Sequence, residues 1–411
     1  MTPKEFATQI VQQLQQAGFQ ALWAGGCVRD QLLGRQPKDY DVATNATPDK
    51  VREIFGKRKT IAIGASFGVI TVIGSKHSGN IEVATFRRDA DYSDGRRPDT
   101  VEFTDAREDA IRRDFTINGM FYDPIADKLI DYVDGRADID CKVIRAIGDP
   151  EERINEDKLR MLRAIRFAST YNFELDETTL KAVRRHAAEI KVVSGERIGA
   201  EMRRMLKHEN RAIAMELLKA SGLLDEILHQ GELLHKNRAN WRTRTRWLEA
   251  LGANGSFEQA AWIMLSKLIK HQGLQPTVER WKLSNSESAT INWFESNVLT
   301  LSRAHGLPWS QVQPLLIHAD AEQAVELIRI QFGENHEGFL ACRQRLAWPQ
   351  EKLDPSALID GGDLKAAGIQ PGPVFSTILK SVRAAQLDNE ISTKDQAMAM
   401  AEQLSSKSDL E

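Results

Sequence analysis

Apolar and polar positions alternate along the first third of the chain and then change to a helical period. The segments FQALWA, DYDVAT, GVITVIG, NIEVATFRR and VEFTD alternate or run apolar over strand-like lengths. From about Pro150 onward strand signals nearly vanish, and segments such as LRMLRAIRFA and GAEMRRMLKHENRAIAMELLKA carry the helical repeat. The pattern predicts an α+β domain at the N-terminus, followed by an all-helical remainder.

Local signals predict three helices among these strands. The first begins with an N-cap, a proline in the first turn and a capping box, formed by Thr2, Pro3 and Glu5. Gly25-Gly26 predicts a turn after FQALWA, and a short helix follows over residues 28–33. Residues 48–55 form the third predicted helix.

Composition narrows the class of protein. A length of 411 residues favours more than one domain, and 42% hydrophobic with 27% charged residues is typical of a soluble globular protein. No apolar run reaches the roughly 20 residues that span a bilayer, and the first residues lack a signal-peptide core. Cys27, Cys141 and Cys342 are far apart, which favours a reducing cytoplasm and gives no zinc spacing. Because the net charge is −3, any contact with nucleic acid must come from local basic patches.

Two aspartates form the first candidate site. Asp39 and Asp41 fall in the predicted strand DYDVAT, where residues i and i+2 face the same side. Neighbouring carboxylates repel each other unless a cation lies between them, and Mg²⁺ prefers oxygen ligands together with substrate phosphates. The pair is therefore a candidate Mg²⁺ platform for phosphoryl or nucleotidyl transfer. The alternative is a solvated strand edge.

A glycine-rich turn is the second candidate. Gly25 and Gly26 let the backbone approach a phosphate closely, and the following helix turns its N-terminus toward the anion. Arg29 would add a bidentate phosphate contact. In isolation the segment fits an ordinary strand-to-helix turn equally well.

Together these motifs resemble a known family. GGCVRD followed by DYD, with eight residues between Asp30 and Asp39, resembles the signature of the nucleotidyltransferase superfamily typified by DNA polymerase β. The segment RRDFTIN, residues 112–118, resembles a motif of the class II tRNA nucleotidyltransferases and bacterial poly(A) polymerases. The resemblance implies that Arg113 contacts the phosphate or ribose of a nucleotide.

A third motif, EDKLRMLRAIR, has charged residues at three-residue spacing, which we expect to form a stripe on one helix. The family has the same EDxxRxxR pattern, and the resemblance implies that it reads the incoming base. Cytosine and adenine present an amine beside an acceptor ring nitrogen, so Asp157 can accept from the amine and Arg160 can donate to the nitrogen. Uracil and guanine reverse both roles and would leave buried groups unpaired. Arg163 and Arg166 would bind phosphate or orient this pair; the alternative is an ion-pair ladder on an exposed helix.

The resemblance also implies a domain order and a reaction. It implies a polymerase β-like catalytic head over residues 1–145, a helical neck with the base-recognition helix over 146–210, and a helical, RNA-binding body and tail over 211–411. The implied reaction is Mg²⁺-dependent, template-independent addition of CMP and AMP, from CTP and ATP, to the 3′ end of tRNA. The alternatives are an A-adding or CC-adding enzyme, a poly(A) polymerase, or a non-catalytic RNA-binding protein. Nothing in the sequence indicates an oligomeric state.

Three further features each allow two interpretations, and a fourth is expected to be structural. Glu82 is a candidate third metal carboxylate or a cross-strand partner. The basic segment from residue 236 to 247 is a candidate RNA contact, but a helix with its tryptophans in the core is favoured. The segment LIDGGDLKAAGIQPGP resembles the tail of CCA-adding enzymes and is scaffold or RNA contact. Ser194 and Arg197, in SGERIGAEMRRML, resemble a helix start of the family and are expected to be structural.

The polar segment DADYSDGRRPD, residues 89–99, is predicted to be a mobile loop. By the resemblance, this loop orders the base-reading helix when addition switches from C to A. We therefore expect a shortened loop to lose A addition and to keep C addition. Single-nucleotide extension of tRNA ending before CC and at CC measures this, and equal loss of both additions would reject it.

Overall fold

The computed structural model describes residues 1–89 and 101–408 of the chain. These residues divide into two compact units. Unit 1 comprises Met1–Arg238 and Pro276–Lys282, and unit 2 comprises Ala239–Gln275 and Leu283–Glu411. Among the described residues, no helix combines the length and apolarity needed to cross a bilayer.

A seven-stranded sheet forms the centre of the N-terminal part of unit 1, with strand order β3-β4-β5-β2-β1-β8-β9. Two smaller sheets, β6-β7 and β10-β11, accompany it in the described chain. The strands are β1 Ala21–Ala24, β2 Asp41–Thr44, β3 Thr60–Ile61, β4 Val69–Val72, β5 Ile81–Thr85, β6 Arg87–Asp89, β7 Val101–Phe103, β8 Phe121–Asp123, β9 Lys128–Ile130, β10 Val143–Ile144 and β11 Glu174–Leu175.

Helices cover the sheet and then make up almost all of the remaining chain. The helices up to the end of β11 are α1 Pro3–Gln16, α2 Gly26–Leu32, α3 Pro48–Phe55, α4 Ala106–Ile111, α5 Gly135–Cys141, α6 Pro150–Glu156 and α7 Arg160–Tyr171. Those after β11 are α8 Glu177–His186, α9 Gly195–Lys207, α10 Arg211–Ala220, α11 Leu223–Ile227, α12 Glu232–His235, α13 Arg238–Ala250, α14 Phe257–Gln272, α15 Gln275–Trp281, α16 Asn285–Leu301, α17 Trp309–Leu316, α18 Ala321–Phe332, α19 Glu337–Leu346, α20 Gln350–Leu353, α21 Gly361–Ala366, α22 Pro373–Leu387 and α23 Lys394–Ser408.

The core of the head lies against the central strands. All four residues of β1 are buried, as expected for a strand with neighbours on both edges and covered faces. One apolar cluster joins β1, β2, β8 and α4, and consists of Leu22, Ala24, Ala43, Phe86, Ala106, Ala110 and Phe121. This packing fixes the strand ends from which the candidate site residues extend.

The α+β head and the helical remainder are confirmed, as are the predicted strands and the three early helices. The Thr2 side chain accepts from the Glu5 amide and Glu5 accepts from the Thr2 amide, so the capping box is present. Of the described strands, only β11 falls after Pro150, where strand signals nearly vanish.

One predicted boundary is wrong at the most important strand. DYDVAT was expected to be extended from Asp39, but β2 begins at Asp41, so Asp39 and Tyr40 precede the strand. The physical reason is the register of the sheet. Ala24 pairs with Asp41, and the next residue, Gly25, turns away with φ of 70°, which leaves no partner on β1 for Tyr40 and Asp39.

A glycine contact in unit 1 gives a stability prediction. Gly199 lies within α9, and a Cβ atom there would collide with the backbone carbonyl of Trp281. Because backbone rather than a flexible side chain would have to move, we expect Gly199→Ala to destabilise the fold by about 3 kcal/mol. Thermal unfolding followed by circular dichroism measures this.

Gly361→Ala is the matched control. Gly361 begins α21, and an added Cβ would meet no atom within 4 Å. We expect this change to be neutral or to stabilise by about 0.5 kcal/mol. Equal melting temperatures for the two variants would contradict the packing argument.

Candidate active site

A cleft with a volume of about 500 Å³ opens in unit 1 between the sheet and the first long helix after it. It brings together eight of the nine residues proposed from sequence, namely Asp41, Gly26, Arg29, Arg113, Asp157, Arg160, Arg163 and Arg166. The ninth, Asp39, does not line the cleft. Segments separated by more than a hundred residues therefore converge on one concave surface.

The glycine turn forms one wall of the cleft. Gly25 has φ of 70° and ψ of −123°, a conformation that glycine adopts readily and L-residues rarely do. A Cβ atom at Gly25 would also lie 2.8 Å from Nη1 of Arg113. Gly26 begins α2, and its added Cβ would make an ordinary contact of 3.4 Å with Arg29. The stricter steric constraint therefore falls on Gly25.

Carboxylates crowd the end of β2. Asp41 lies directly opposite Glu82 in the parallel pairing of β2 with β5. Asp41 remains in contact with solvent at the cleft wall, yet surrounding protein atoms displace enough water to raise its pKa. Desolvation is the largest cause, Glu82 and Asp39 add like-charge repulsion, Arg113 opposes it, and the resulting pKa is about 6.

Arg29 is buried in a network rather than extended into solvent. Its Nε and Nη2 donate to Oδ1 of Asp30 at 3.0 and 2.9 Å, and Nη1 donates to Oδ1 of Asn118. Its guanidinium carbon lies 4.7 Å from the ring centre of Tyr171 and 5.4 Å from that of Phe167. These contacts connect α2 to the RRDFTIN segment and to α7.

A buried aspartate positions the two arginines that begin RRDFTIN. Oδ1 of Asp109 accepts from Arg112 at 2.6 Å, and Oδ2 accepts from Arg113 at 2.8 Å. Burial of Asp109 opposes its ionisation, but the charges of Arg113 and Arg112 outweigh burial and lower its pKa. Arg113 also lies 5.1 Å from the ring centre of Phe121. Asp109 and Phe121 therefore together fix the direction of the Arg113 side chain toward the glycine turn.

The next residue, Asp114, joins this segment to α7. Its Oδ2 accepts from Nε and Nη2 of Arg163 at 2.8 and 2.6 Å, and its Oδ1 accepts from Nδ2 of Asn118 at 2.9 Å. Burial opposes ionisation, yet Arg163 and Asn118 together lower the pKa of Asp114 to about 2. Asp114 therefore stays charged at any working pH and holds Arg163 in place.

The proposed base-reading residues do not lie on one helix, which corrects the predicted stripe. α6 ends at Glu156, Asp157 is extended with φ of −147° and ψ of 105°, and α7 begins at Arg160. The carboxylate of Asp157 accepts from the Leu159 amide at 3.0 Å, so a side chain takes the place of a helical hydrogen bond at the break. Only the three arginines share α7.

Asp157 and Arg160 each have partners other than one another. Nη1 and Nη2 of Arg197 donate to the two carboxylate oxygens of Asp157 at 3.1 and 2.6 Å. Arg160 pairs with Glu156 and donates to the Arg153 carbonyl at 2.9 Å. Arg197 was expected to be structural, and its bidentate contact fixes the orientation of the Asp157 carboxylate.

Arg166 closes the far side of the cleft. Its Nε donates to Oε2 of Glu201 at 2.5 Å, and its guanidinium carbon lies 4.0 Å from the ring centre of Phe167. Burial is the main cause that lowers the pKa of Arg166, while Glu201 opposes the shift. The salt bridge thereby ties α7 to α9.

Four cleft residues were given no role from sequence: Arg112, Asp114, Asn118 and Phe167. The first three lie within the recognised motif RRDFTIN, where an aspartate and an asparagine four residues apart were the available signal. Phe167 had only the apolar periodicity of its helix, which does not distinguish a cleft wall from a core position.

Two family models match separate segments of the chain, and relatives match nearly all of it. Residues 21–145 match the model described as the poly A polymerase head domain. Residues 172–233 match the model described as the probable RNA and SrmB-binding site of polymerase A. A CCA-adding enzyme of Staphylococcus aureus (strain MRSA252) is 43% identical over 407 residues, which cover 95% of both chains.

The chain belongs to the CCA-adding enzyme family. A Lactococcus lactis member is 32% identical over 410 residues, covering 96% of each chain. The crystal structure of the Bacillus stearothermophilus CCA-adding enzyme in complex with CTP has a TM-score of 0.79 and 27% identity, covering 100% of this chain and 99% of that one. Family membership therefore extends through the helical remainder as well as the head.

Two other sequence interpretations concern the helical remainder. In the basic segment, Trp241 of α13 is buried and Trp247 is half-buried, so the favoured interpretation, with tryptophan in the core, is confirmed for Trp241. Near the C-terminus, Asp360 caps α21 with a capping box, and Pro373 begins α22 after Gly372.

The predicted loop over residues 89–99 falls, except for Asp89 at the end of β6, outside the described residues.

The buried Asp114 gives a prediction about stability and pH. Its pKa is lowered to about 2 in the folded chain, against about 3.9 when unfolded. The ion pair of Asp114 with Arg163 therefore stabilises the fold fully above about pH 4, and this contribution is lost as pH falls through about 2. We expect Asp114→Asn to cost roughly 2 kcal/mol at neutral pH, and the gap to wild type to shrink toward pH 2.

Urea unfolding of wild type and variant between pH 7 and pH 2.5 measures this gap. Asp49→Asn is the control, because Asp49 is exposed in the first turn of α3. A difference between wild type and Asp114→Asn that does not change with pH would contradict the assignment.

Proposed function

We propose that the chain adds CMP and AMP, from CTP and ATP, to the 3′ end of tRNA without a nucleic-acid template. The main support is the combination of near-full-length identity to CCA-adding enzymes with a cleft built from the family's motifs. The CTP in the related B. stearothermophilus structure is a ligand of the class expected here. A Thermotoga maritima CCA-adding enzyme has been solved in complex with tRNA, and its TM-score of 0.67 at 19% identity supports a common fold.

In this proposal the head holds the triphosphate. The Gly25-Gly26 turn lets the backbone approach phosphate oxygens, since no Cβ obstructs it. Arg113 faces this turn with Nη1 near Gly25, while Asp109 holds the rest of its guanidinium. Arg29 would stabilise the turn from behind rather than contact phosphate directly, because Asp30 and Asn118 already occupy its donors.

The carboxylates at the end of β2 fit a divalent cation. Desolvation, together with repulsion from Glu82 and Asp39, disfavours the charged form of Asp41, and a bound cation would favour it. In the described residues, no group of three or more acidic, histidine or cysteine side chains is arranged to hold a metal. Mg²⁺ is commonly held by one or two carboxylates together with substrate phosphates, and in this proposal Asp39 and Asp41 are the ligands and Glu82 is a neighbour.

The reaction is an in-line displacement. The 3′-hydroxyl oxygen of tRNA forms a bond to the α-phosphorus of the nucleotide, and the bond to the pyrophosphate leaving group breaks. Bound Mg²⁺ would neutralise triphosphate charge and lower the pKa of the attacking hydroxyl. The protein's own contribution is positioning and fixed charge in the cleft, with no covalent intermediate on the chain.

Asp157 and Arg160 would read the base. The Asp157 carboxylate, oriented by Arg197, can still accept from an exocyclic amine, since each oxygen has more than one lone pair. Arg160 would donate to the acceptor ring nitrogen beside that amine. Arg163 and Arg166 would line the cleft and keep α7 in register through Asp114 and Glu201.

The same proposal assigns the domains and the compartment. The catalytic head would span residues 1–145, the neck 146–210, and the RNA-binding body and tail 211–411. A cytoplasmic location follows from a tRNA substrate and from three cysteines that form no disulfide. A-adding, CC-adding and poly(A)-adding activities use the same cleft chemistry, and the names of the nearly full-length relatives favour complete CCA addition.

The test uses purified chain with Mg²⁺ and three RNAs: tRNA ending before CC, tRNA ending at CC, and an unrelated RNA. We expect CTP to extend the first, ATP to extend the second, and neither to extend the third. Asp39→Ala and Asp41→Ala should each reduce extension by roughly a thousandfold, whereas Asp49→Ala, in the exposed first turn of α3, should not.

Each alternative gives a different product. Long A tails on unrelated RNA would indicate a poly(A) polymerase, and loss of one addition with retention of the other would indicate an A-adding or CC-adding enzyme. Extension that survives both aspartate substitutions would reject the proposed catalytic site.

A further inference from the structure

A second group of basic side chains lies outside the nucleotide cleft, and one of its members is adjacent in sequence to Asp39. Arg35 and Lys38 belong to the exposed link between α2 and β2, and His208 follows α9. None of the three lines the cleft. Lys38 directly precedes Asp39, which also lies outside the cleft lining. The group is therefore separate from the residues that line the nucleotide cleft, and Lys38 connects it along the chain to the proposed metal ligand Asp39.

The Arg35 side chain is held by an aromatic ring instead of a carboxylate. Its guanidinium carbon lies 4.9 Å from the ring centre of Tyr171, the same ring that Arg29 contacts. The Tyr171 hydroxyl donates to Oδ1 of Asp30 at 3.0 Å, which fixes the ring. A guanidinium that contacts an aromatic ring rather than a carboxylate keeps its N–H groups available to a phosphate.

His208 presents one ring nitrogen to the same region. Its Nδ1 accepts from the Asn210 amide at 3.1 Å, so the neutral ring carries its proton on Nε2. Nδ2 of Asn210 donates to the Ser169 carbonyl at 3.0 Å, which anchors this turn to α7. The turn is therefore fixed relative to Tyr171, two residues along the same helix.

Arg35 and Lys38 lie close enough to His208 to act on its charge, which places the three side chains in one region. Burial is the main cause that lowers the pKa of His208; Glu209 opposes the shift, while Arg35, Arg211 and Lys38 add to it. In the part of the chain that the structure describes, Arg35 and Lys38 form no ion pair with a carboxylate. Most arginines of the nucleotide cleft, by contrast, are already paired with acidic residues.

We propose that Arg35, Lys38 and His208 bind backbone phosphates of the terminal nucleotides of the RNA that is being extended. This assignment rests on the proposed function, because it supplies the second substrate of the same reaction. Arg35 and Lys38 neutralise phosphate charge, and Nε2–H of His208 donates to a phosphate oxygen. The contacts would hold the RNA end beside Asp39 whichever base has just been added.

The experiment measures binding and catalysis separately. Wild type, Arg35→Ala, Lys38→Ala and the double variant are titrated with labelled tRNA ending before CC, over a series of salt concentrations. For the double variant we expect the dissociation constant to rise roughly tenfold at physiological salt. The slope of its logarithm against the logarithm of salt concentration should fall by about 0.7 to 0.9 for each phosphate that the variant no longer neutralises.

Steady-state extension with CTP gives the second readout. We expect the KM for tRNA to rise in parallel with the dissociation constant, and kcat and the KM for CTP to stay within about twofold of wild type. Arg35→Lys should recover most of the salt slope, because it keeps the charge. His208→Gln, which keeps a side-chain donor, should weaken binding less than His208→Ala.

Lys128→Ala is the matched control. Lys128 is exposed on β9, three strands away from β2 in the sheet order, and it also forms no ion pair in the described chain. Unchanged tRNA affinity and salt slope in the Arg35 and Lys38 variants would overturn the assignment. So would a rise in the KM for CTP with tRNA binding unaffected, which would place the group on the nucleotide instead.

The two proposals fail in different ways. If wild type binds tRNA but extends no RNA, the proposed function fails while the salt slopes still test the basic group. If wild type extends tRNA and the Arg35 and Lys38 variants bind and extend it as well as the Lys128 variant does, the basic group fails and the proposed function stands.

Discussion

The pairing of Asp114 with Arg163 is the interaction on which the architecture of the cleft depends. It joins the segment after α4 to α7. The side chain of Asn118 donates to Asp114 and accepts from Arg29, so it connects this ion pair to α2. A buried carboxylate without such partners would be neutral or strongly destabilising. The glycine turn, the RRDFTIN segment and the arginines of α7 therefore hold their relative positions through one connected set of charges.

The same design repeats around the cleft wall. Asp109 orients Arg112 and Arg113, Glu201 orients Arg166, and each carboxylate is nearly inaccessible to solvent. An arginine whose guanidinium already forms such an ion pair loses little further side-chain entropy when it binds a nucleotide. In the proposed function, nucleotide binding by a chain of net charge −3 would thus come from local, preorganised cations.

Sequence reasoning predicted the α+β head, the helical remainder and most of the cleft, because strand alternation, helical periodicity and short motifs are local signals. It failed where the structure is decided by pairing between residues that are distant in sequence. The start of β2 at Asp41 depends on the register with β1 and on the turn at Gly25. The partnership of Arg197 with Asp157 joins residues forty positions apart, and no local pattern indicates it.

In the proposed function, the break between α6 and α7 bears on how one surface would serve bases of unequal size. The Asp157 amide donates to the Arg153 carbonyl at the end of α6, and its carbonyl accepts from the Arg160 amide at the start of α7. Arg197 holds the carboxylate of the same residue. A pyrimidine and a purine place their amine edges at different depths beyond the sugar. Because these hydrogen bonds hold the Asp157 carboxylate at one depth, each nucleotide would have to shift along the cleft to bring its own amine edge to that carboxylate.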